Sequence, residues 1–208
     1  MTKADLPAML TADINFWQAL VIALSVVAVM EVVAILSHKY VMHGFLWSLH
    51  KSHHEPRIGL FERNDWFGVM GAIPSIILLV IGTHYGWHVI TAIGAGITAY
   101  GAIYFGVHDV LVHRRVKHGW NPQQWYIKRM VQAHRLHHVV ESKEGTVSFG
   151  FIYAPPIRSL LAQLEANGKG KIRSSAKTRT EMDVGALDLD NAEKYARPTV
   201  LRADANQK

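Results

Sequence analysis

The sequence predicts an all-α integral membrane bundle, three transmembrane helices carrying a histidine-rich helical cap on one face. Three observations predict it. Apolar runs long enough to cross a bilayer occur at 16–37, 67–83 and 87–107. Ten of the thirteen histidines fall into one pattern written twice, and each copy begins where the first or third run ends. Lys and Arg crowd beside that pattern and are almost absent from the opposite ends of the runs.

Residues 1–14 form a short polar lead. They lack a basic stretch and a small-residue cleavage site, so the first run reads as an uncleaved anchor. That run carries one charge, Glu31, in 22 residues. The second has none in 17 and the third none in 21, and only His84, Tyr85 and Gly86 separate them, which makes a helical hairpin. Spanning takes about 20 apolar residues, with roughly 17 as the lower limit. Pro74 reads as a kink in the second span. In the third, Ala92 and Gly96, Ala95 and Ala99, and Ala102 and Gly106 recur at helical spacing, which favours close helix packing or a slot for a long, thin substrate. Residues 145–164 are apolar but broken by Pro155 and Pro156 and interrupted by Arg158. They read as an interfacial or re-entrant element anchored by Phe149, Phe151 and Tyr153, with a fourth span as the alternative. The membrane domain is thus expected over 15–165, and 166–208 as a polar, disordered tail.

Crossing once and then out and back returns the chain to the side it left, so both histidine copies face one compartment. That side holds Lys39, Lys51, Arg57, Arg63, Arg114, Arg115, Lys117, Lys128, Arg129 and Arg135, against Lys3 alone opposite. The positive-inside rule makes it the cytoplasmic face. The formal charge of +6 therefore reflects topology, because the basic residues flank apolar runs and form no nucleic-acid stripe. The absence of cysteine excludes disulfides, iron–sulfur clusters and thiolate-held haem or zinc. Any metal must be held by nitrogen and oxygen.

The first copy reads H-x4-H (His38, His43) then H-x2-H-H (His50, His53, His54). The second reads His108, His113, then His134, His137, His138. Neutral imidazole is the commonest metal ligand among side chains, and eight to ten together would hold two ions. On an α-helix, H-x2-H-H keeps its first ring within roughly 60° of the others. His43 and His50 also align if a helix continues through Gly44. The H-x4-H rings fall about 140° apart, so they flank one metal or straddle a helix end. Each copy then looks like half of one di-metal site. His84 and His88, at the hairpin loop, and His118, outside both copies, read as ordinary polar side chains.

Metal-bound imidazoles usually donate their other N–H to an oxygen. Glu31, Asp109, Glu55 and Glu141 are the candidate partners or additional ligands, with surface ion pairs an equal reading for Glu55 and Glu141; Glu62 and Asp65 stay unassigned. The zinc-hydrolase pattern H-E-x-x-H is absent. A transporter would put its ligands at mid-membrane. Iron suits imidazole, and a nitrogen-rich di-iron centre activating O₂ fits a lipid-dissolved substrate. With no nucleotide-binding glycine motif, electrons must come from another protein.

The stretches MEVVAILSHKYVMHG (30–44), HKSHHEPR (50–57), IGAGITAYGAIYFGVHDVLVHRR (93–115) and AHRLHHVVESKEGTVSFGFIYAPP (133–156) resemble the bacterial β-carotene hydroxylase family of the membrane fatty-acid-hydroxylase superfamily. The resemblance covers about 15–165, with the spacing of all ten patterned histidines. It implies a di-iron monooxygenase of the bacterial inner membrane, hydroxylating carbon 3 of β-ionone rings. β-Carotene would pass through β-cryptoxanthin to zeaxanthin, and canthaxanthin to astaxanthin. O₂ and reduced ferredoxin with its reductase would be consumed. The ten patterned histidines would ligate iron, with no separate acid–base residue. Two alternatives stand beside it: a hydroxylase or desaturase of a fatty acyl chain or sterol, and a non-catalytic membrane metal-binding or transport protein.

Overall fold

A computed structural model describes residues 7–55, 59 and 61–167. After a 3-10 turn at Ala8–Leu10, helix α1 (Phe16–Leu36) opens on a reciprocal cap. The Asn15 carboxamide accepts from the Gln18 amide N–H at 3.0 Å, and the Gln18 side chain accepts from the Asn15 N–H at 2.9 Å. The helix runs on into a π segment, Ser37–Phe45. A four-residue helix α2 (Trp47–His50) and a 3-10 turn (Lys51–His53) follow. Helices α3 (Asp65–Tyr85) and α4 (His88–Tyr104) form the hairpin, turned by Gly86 at φ +65°, a conformation glycine adopts without a Cβ clash. Helix α4 passes into a second π segment, Phe105–Val112. The 14-residue α5 (Trp125–His138) comes next, then an irregular strap over 139–156 and the 11-residue α6 (Ile157–Asn167). Among the described residues there is no β-strand.

Three helical runs are long and apolar enough to cross a membrane: Phe16–Phe45, Asp65–Tyr85 and His88–Val112. At 1.5 Å per residue, the 21 residues of α1 rise about 31 Å, matching a hydrocarbon core of about 30 Å. Their outer faces are apolar and bare: Val21, Leu24, Val29, Ile73, Ile76 and Val80 are all exposed. In water such a surface would aggregate; in lipid it is the solvent-facing side. Inside, backbones approach closely. A Cβ at Gly96 would lie 2.7 Å from the Ala23 carbonyl of α1, so the Ala92–Gly96 pair is a packing face. Ala95, Ala99, Ala102 and Gly106 point outward instead. Between α3 and α4 the Ser75 hydroxyl donates to the Gly94 carbonyl at 2.9 Å. Helix α3 continues through Pro74.

The alternative of a fourth span falls. Residues 139–156 are irregular, and the 11 described residues of α6 are too few to cross. Its Leu160 and Leu164 are buried against Ala133, Val140, Val147 and Ala154, so it braces α5 within the cap. Of the expected tail, Ala166 and Asn167 complete α6, and 168–208 lie outside the described residues.

Candidate metal centre

His38 and His43 lie within the first π segment, and His108 lies within the second, which His113 caps; this resolves the poor alignment of the pairs on an α-helix. A π turn closes i→i+5, the histidine spacing itself. The His113 N–H donates to the His108 carbonyl at 2.9 Å. The two rings come to 4.6 Å between centroids, and those of His38 and His43 to 5.3 Å. The expected continuation through Gly44 does not occur. Gly44 leaves the helix at φ −105°, ψ −124°, and α2 restarts the chain at a new angle. In the first copy, His50 closes α2 and His53 closes the 3-10 turn, so the shared α-helical face expected there is absent. In the second, His134, His137 and His138 do share the buried face of α5.

Two groups result. His38, His43, His50 and His137 form group one, and His53, His108, His113 and His134 form group two. Within each, one nitrogen per ring lies within 4.8 Å of all the others. The copies are interleaved: His137 of the second joins the first group, and His53 of the first joins the second. His54 and His138 add a fifth ring to each, with Nε2 3.3 Å from that of His50 and 3.0 Å from that of His134. All ten patterned histidines therefore converge. His84 and His88 are exposed at the far end of the hairpin, and His118 bonds the Val110 carbonyl at 3.0 Å.

The outward nitrogens define the tautomers. Nδ1 of His38 donates to the Phe149 carbonyl (3.0 Å), His43 to Lys143 (2.8 Å), His54 to Val140 (2.9 Å) and His137 to Val147 (3.0 Å). His50 donates to the Asn64 carboxamide oxygen at 2.7 Å, His53 to Glu62 at 3.1 Å and His108 to Asp109 at 2.8 Å. These oxygens only accept, so each of the seven rings carries its proton on Nδ1 and aims a lone pair inward from Nε2. Burial keeps the rings neutral. It pushes His50 and His134 down to about 3 and holds His53, His54, His137 and His138 well below the usual imidazole range, with neighbouring rings adding to the effect.

Facing Nε2 atoms stand 3.1 Å apart at His38–His50, 3.2 Å at His43–His137, 2.8 Å at His53–His108 and 3.2 Å at His113–His134. In the first three pairs both rings carry their proton on Nδ1, and lone pairs so placed repel unless a cation lies between them. Ligands about 2.1 Å from one ion and at right angles to each other would sit about 3.0 Å apart. The all-nitrogen donor set thus fits two borderline transition-metal ions such as iron.

The acidic candidates separate. Asp109 takes the N–H of its neighbour His108, as above. Glu31, expected beside His38, instead holds the strap: Oε1 accepts from the N–H groups of Phe151 (2.9 Å), Ile152 (3.0 Å) and Tyr153 (2.8 Å), and Oε2 from the Tyr100 hydroxyl (2.8 Å). It therefore reaches His38 only through the strap that carries the Phe149 carbonyl. Only glycine permits this approach, since a Cβ at Gly150 would lie 2.7 Å from Glu31 Oε1. Glu55 pairs with exposed Lys51 at 3.2 Å. Glu141 is half-buried beside Val140, whose carbonyl receives the His54 proton. Sequence reasoning left Glu62 unassigned and missed Asn64. Both precede the second span in a polar cluster, but nothing in their spacing ties them to particular rings. The four strap carbonyls leave no side-chain signal at all.

The family described as fatty acid hydroxylase matches residues 23–155, which include every patterned histidine. A β-carotene hydroxylase of Pantoea ananas is 52% identical over 148 residues, 71% of this chain and 83% of that protein. Another, of Pseudescherichia vulneris, is 48% identical over 164 residues, 78% of this chain and 92% of that protein. A chloroplastic β-carotene hydroxylase of Capsicum annuum is 39% identical over 152 residues, 70% of this chain and 48% of that protein. No solved structure matches the chain. With its three apolar spans and paired histidine groups, the chain belongs to the fatty acid hydroxylase family.

Proposed function

We propose that the chain is a di-iron monooxygenase hydroxylating carbon 3 of carotenoid β-ionone rings. It takes β-carotene through β-cryptoxanthin to zeaxanthin and, by the same attack, canthaxanthin to astaxanthin. The observation that carries the chemistry is the convergence of imidazole nitrogens into two groups, buried at every ring but half-buried His113. The substrate rests on the activity named for the bacterial relatives. Bound there, iron supplies O₂ activation able to attack an unactivated C–H bond. The balance is R–H + O₂ + two electrons + two protons giving R–OH + H₂O, with electrons from reduced ferredoxin and its reductase.

The chain's own residues orient the centre and wall it off. Hydrogen bonds at Nδ1 lock the ring directions. Aromatic rings line the chamber: Tyr104 stacks on His108 (4.5 Å), Phe151 on His38 (5.4 Å), and Trp47 leans on His43 (5.1 Å). The histidines begin at the cap-side ends of α1 and α4, where a ring at the end of a lipid-dissolved chain reaches them. The basic residues on that side support placing the site on the cytoplasmic face of a bacterial inner membrane.

Expression in cells that accumulate β-carotene is the test. Zeaxanthin is the expected product, and its absence with protein present in the membrane rejects the substrate. Iron near two per purified chain is expected; iron-free protein rejects the chemistry.

A further inference from the structure

The two groups have the same ligands but different surroundings. In group one, the Nδ1 protons of His38, His43 and His137 go to backbone carbonyls and that of His50 to the Asn64 carboxamide, all uncharged oxygens. In group two, His53 and His108 donate to the carboxylates of Glu62 and Asp109. Those acids belong to a part-buried network. Arg115 lies 2.6 Å from Asp65, 3.6 Å from Asp109 and 3.7 Å from Glu62. The Asp65 carboxylate also accepts from the Glu62 backbone N–H at 2.9 Å. Arg115 thus bridges three carboxylates. The Glu62 and Asp109 side chains are only 10% and 11% exposed, so water screens their charges little. A divalent cation within the rings of group two would be drawn toward those carboxylates.

We propose that the two groups are inequivalent metal sites, and that Glu62 and Asp109, acting through His53 and His108, make group two the tighter one and the first to fill. This rests on the reading that both groups hold metal. Glu62 and Asp109 are positioning residues: a carboxylate partner fixes the ring and raises its basicity, and losing such a partner typically costs about 10–100-fold in metal affinity. Asn64 is the natural counterpoint, a neutral isostere of aspartate in the equivalent role at His50.

The experiment is competition for Fe(II) between a chelator and the full-length protein in detergent, scored as iron bound per chain. Wild type is expected to load in two resolved steps. H113A removes the tight step and H43A the weak one. E62Q and D109N weaken the tight step by about 10–100-fold and leave the weak step in place. N64D gives group one its own carboxylate and tightens the weak step, a gain that disturbed folding would not produce. Two indistinguishable steps in wild type, loss of the weak step in E62Q, or an unchanged weak step in N64D would overturn the proposal. Wild type that binds no iron would overturn the metal reading on which it rests.

Discussion

From His38 to His54 the chain passes through a π segment, breaks at Gly44, and reaches its second box on four residues of α-helix and one 3-10 turn. From His108 to His138 it passes through a π segment, runs irregularly to Gln124, and reaches its second box on a 14-residue α-helix. The two backbones agree only at the π turn, yet each presents five rings in matching positions and exchanges one with the other group. What is shared is where Nε2 arrives. The supports differ accordingly: group one leans on strap carbonyls and Asn64, group two on the carboxylates of Glu62 and Asp109.

The exchanged rings offer the strongest way to break this equivalence. H53A and H137A each open the group opposite their own segment, and product formation is expected to fall more than about 100-fold in both, an effect of several kcal/mol on the barrier. Product assay in β-carotene-accumulating cells checks it. A variant that stays active would show that the copies are self-contained.

The strap provides the next lever. E31A leaves three backbone N–H groups over 151–153 without their acceptor, at about 1–3 kcal/mol for each one that stays buried and unpaired. A lower Tm in detergent is expected, with weaker iron retention in group one than in group two. Equal loss from both groups would erase the distinction between strap-held and acid-held rings.

Acid should act on both copies alike. His50 and His134 titrate near 3 in the folded protein but near the usual 6.5 when unfolded. Between those values the unfolded chain binds more protons, so stability falls as pH drops through that window. At pH 5 the loss is about 2 kcal/mol per ring. Melting of the metal-free protein at pH 7.5 and pH 5 tests this; an unchanged Tm would mean that the rings are not buried in neutral form.

The smallest effect is expected at E55A, which removes an exposed ion pair with Lys51. Less than about 0.5 kcal/mol should be lost, and H84A and H88A should retain full activity. A large effect at Glu55 would bring it into the site.

The spans, their number and the convergence of both histidine copies on one side were legible in the chain. Hydropathy integrates over about 20 residues, and parity needs only a count of crossings. Finer features were not. H-x4-H looked misaligned because α-helical spacing was assumed, whereas the π register that aligns it depends on the rings meeting one another. Asp109 was readable as a sequence neighbour of His108. Glu62 and Asn64 reach their rings by way of a loop, and that path is set by tertiary packing. Glu31 stood out in the sequence as the one charge in the first span, but the N–H groups that donate to it lie about 120 residues away in the strap.

The amino-acid order alone determined the membrane bundle, the donor chemistry and the ring spacing, because bilayer thickness and imidazole chemistry act on local composition. Tertiary structure decided which rings face one another, which copy lends a ring to the other, and which group stands beside negative charge. Those outcomes depend on distances of about 3 Å between segments far apart in the chain, and no local pattern encodes such distances.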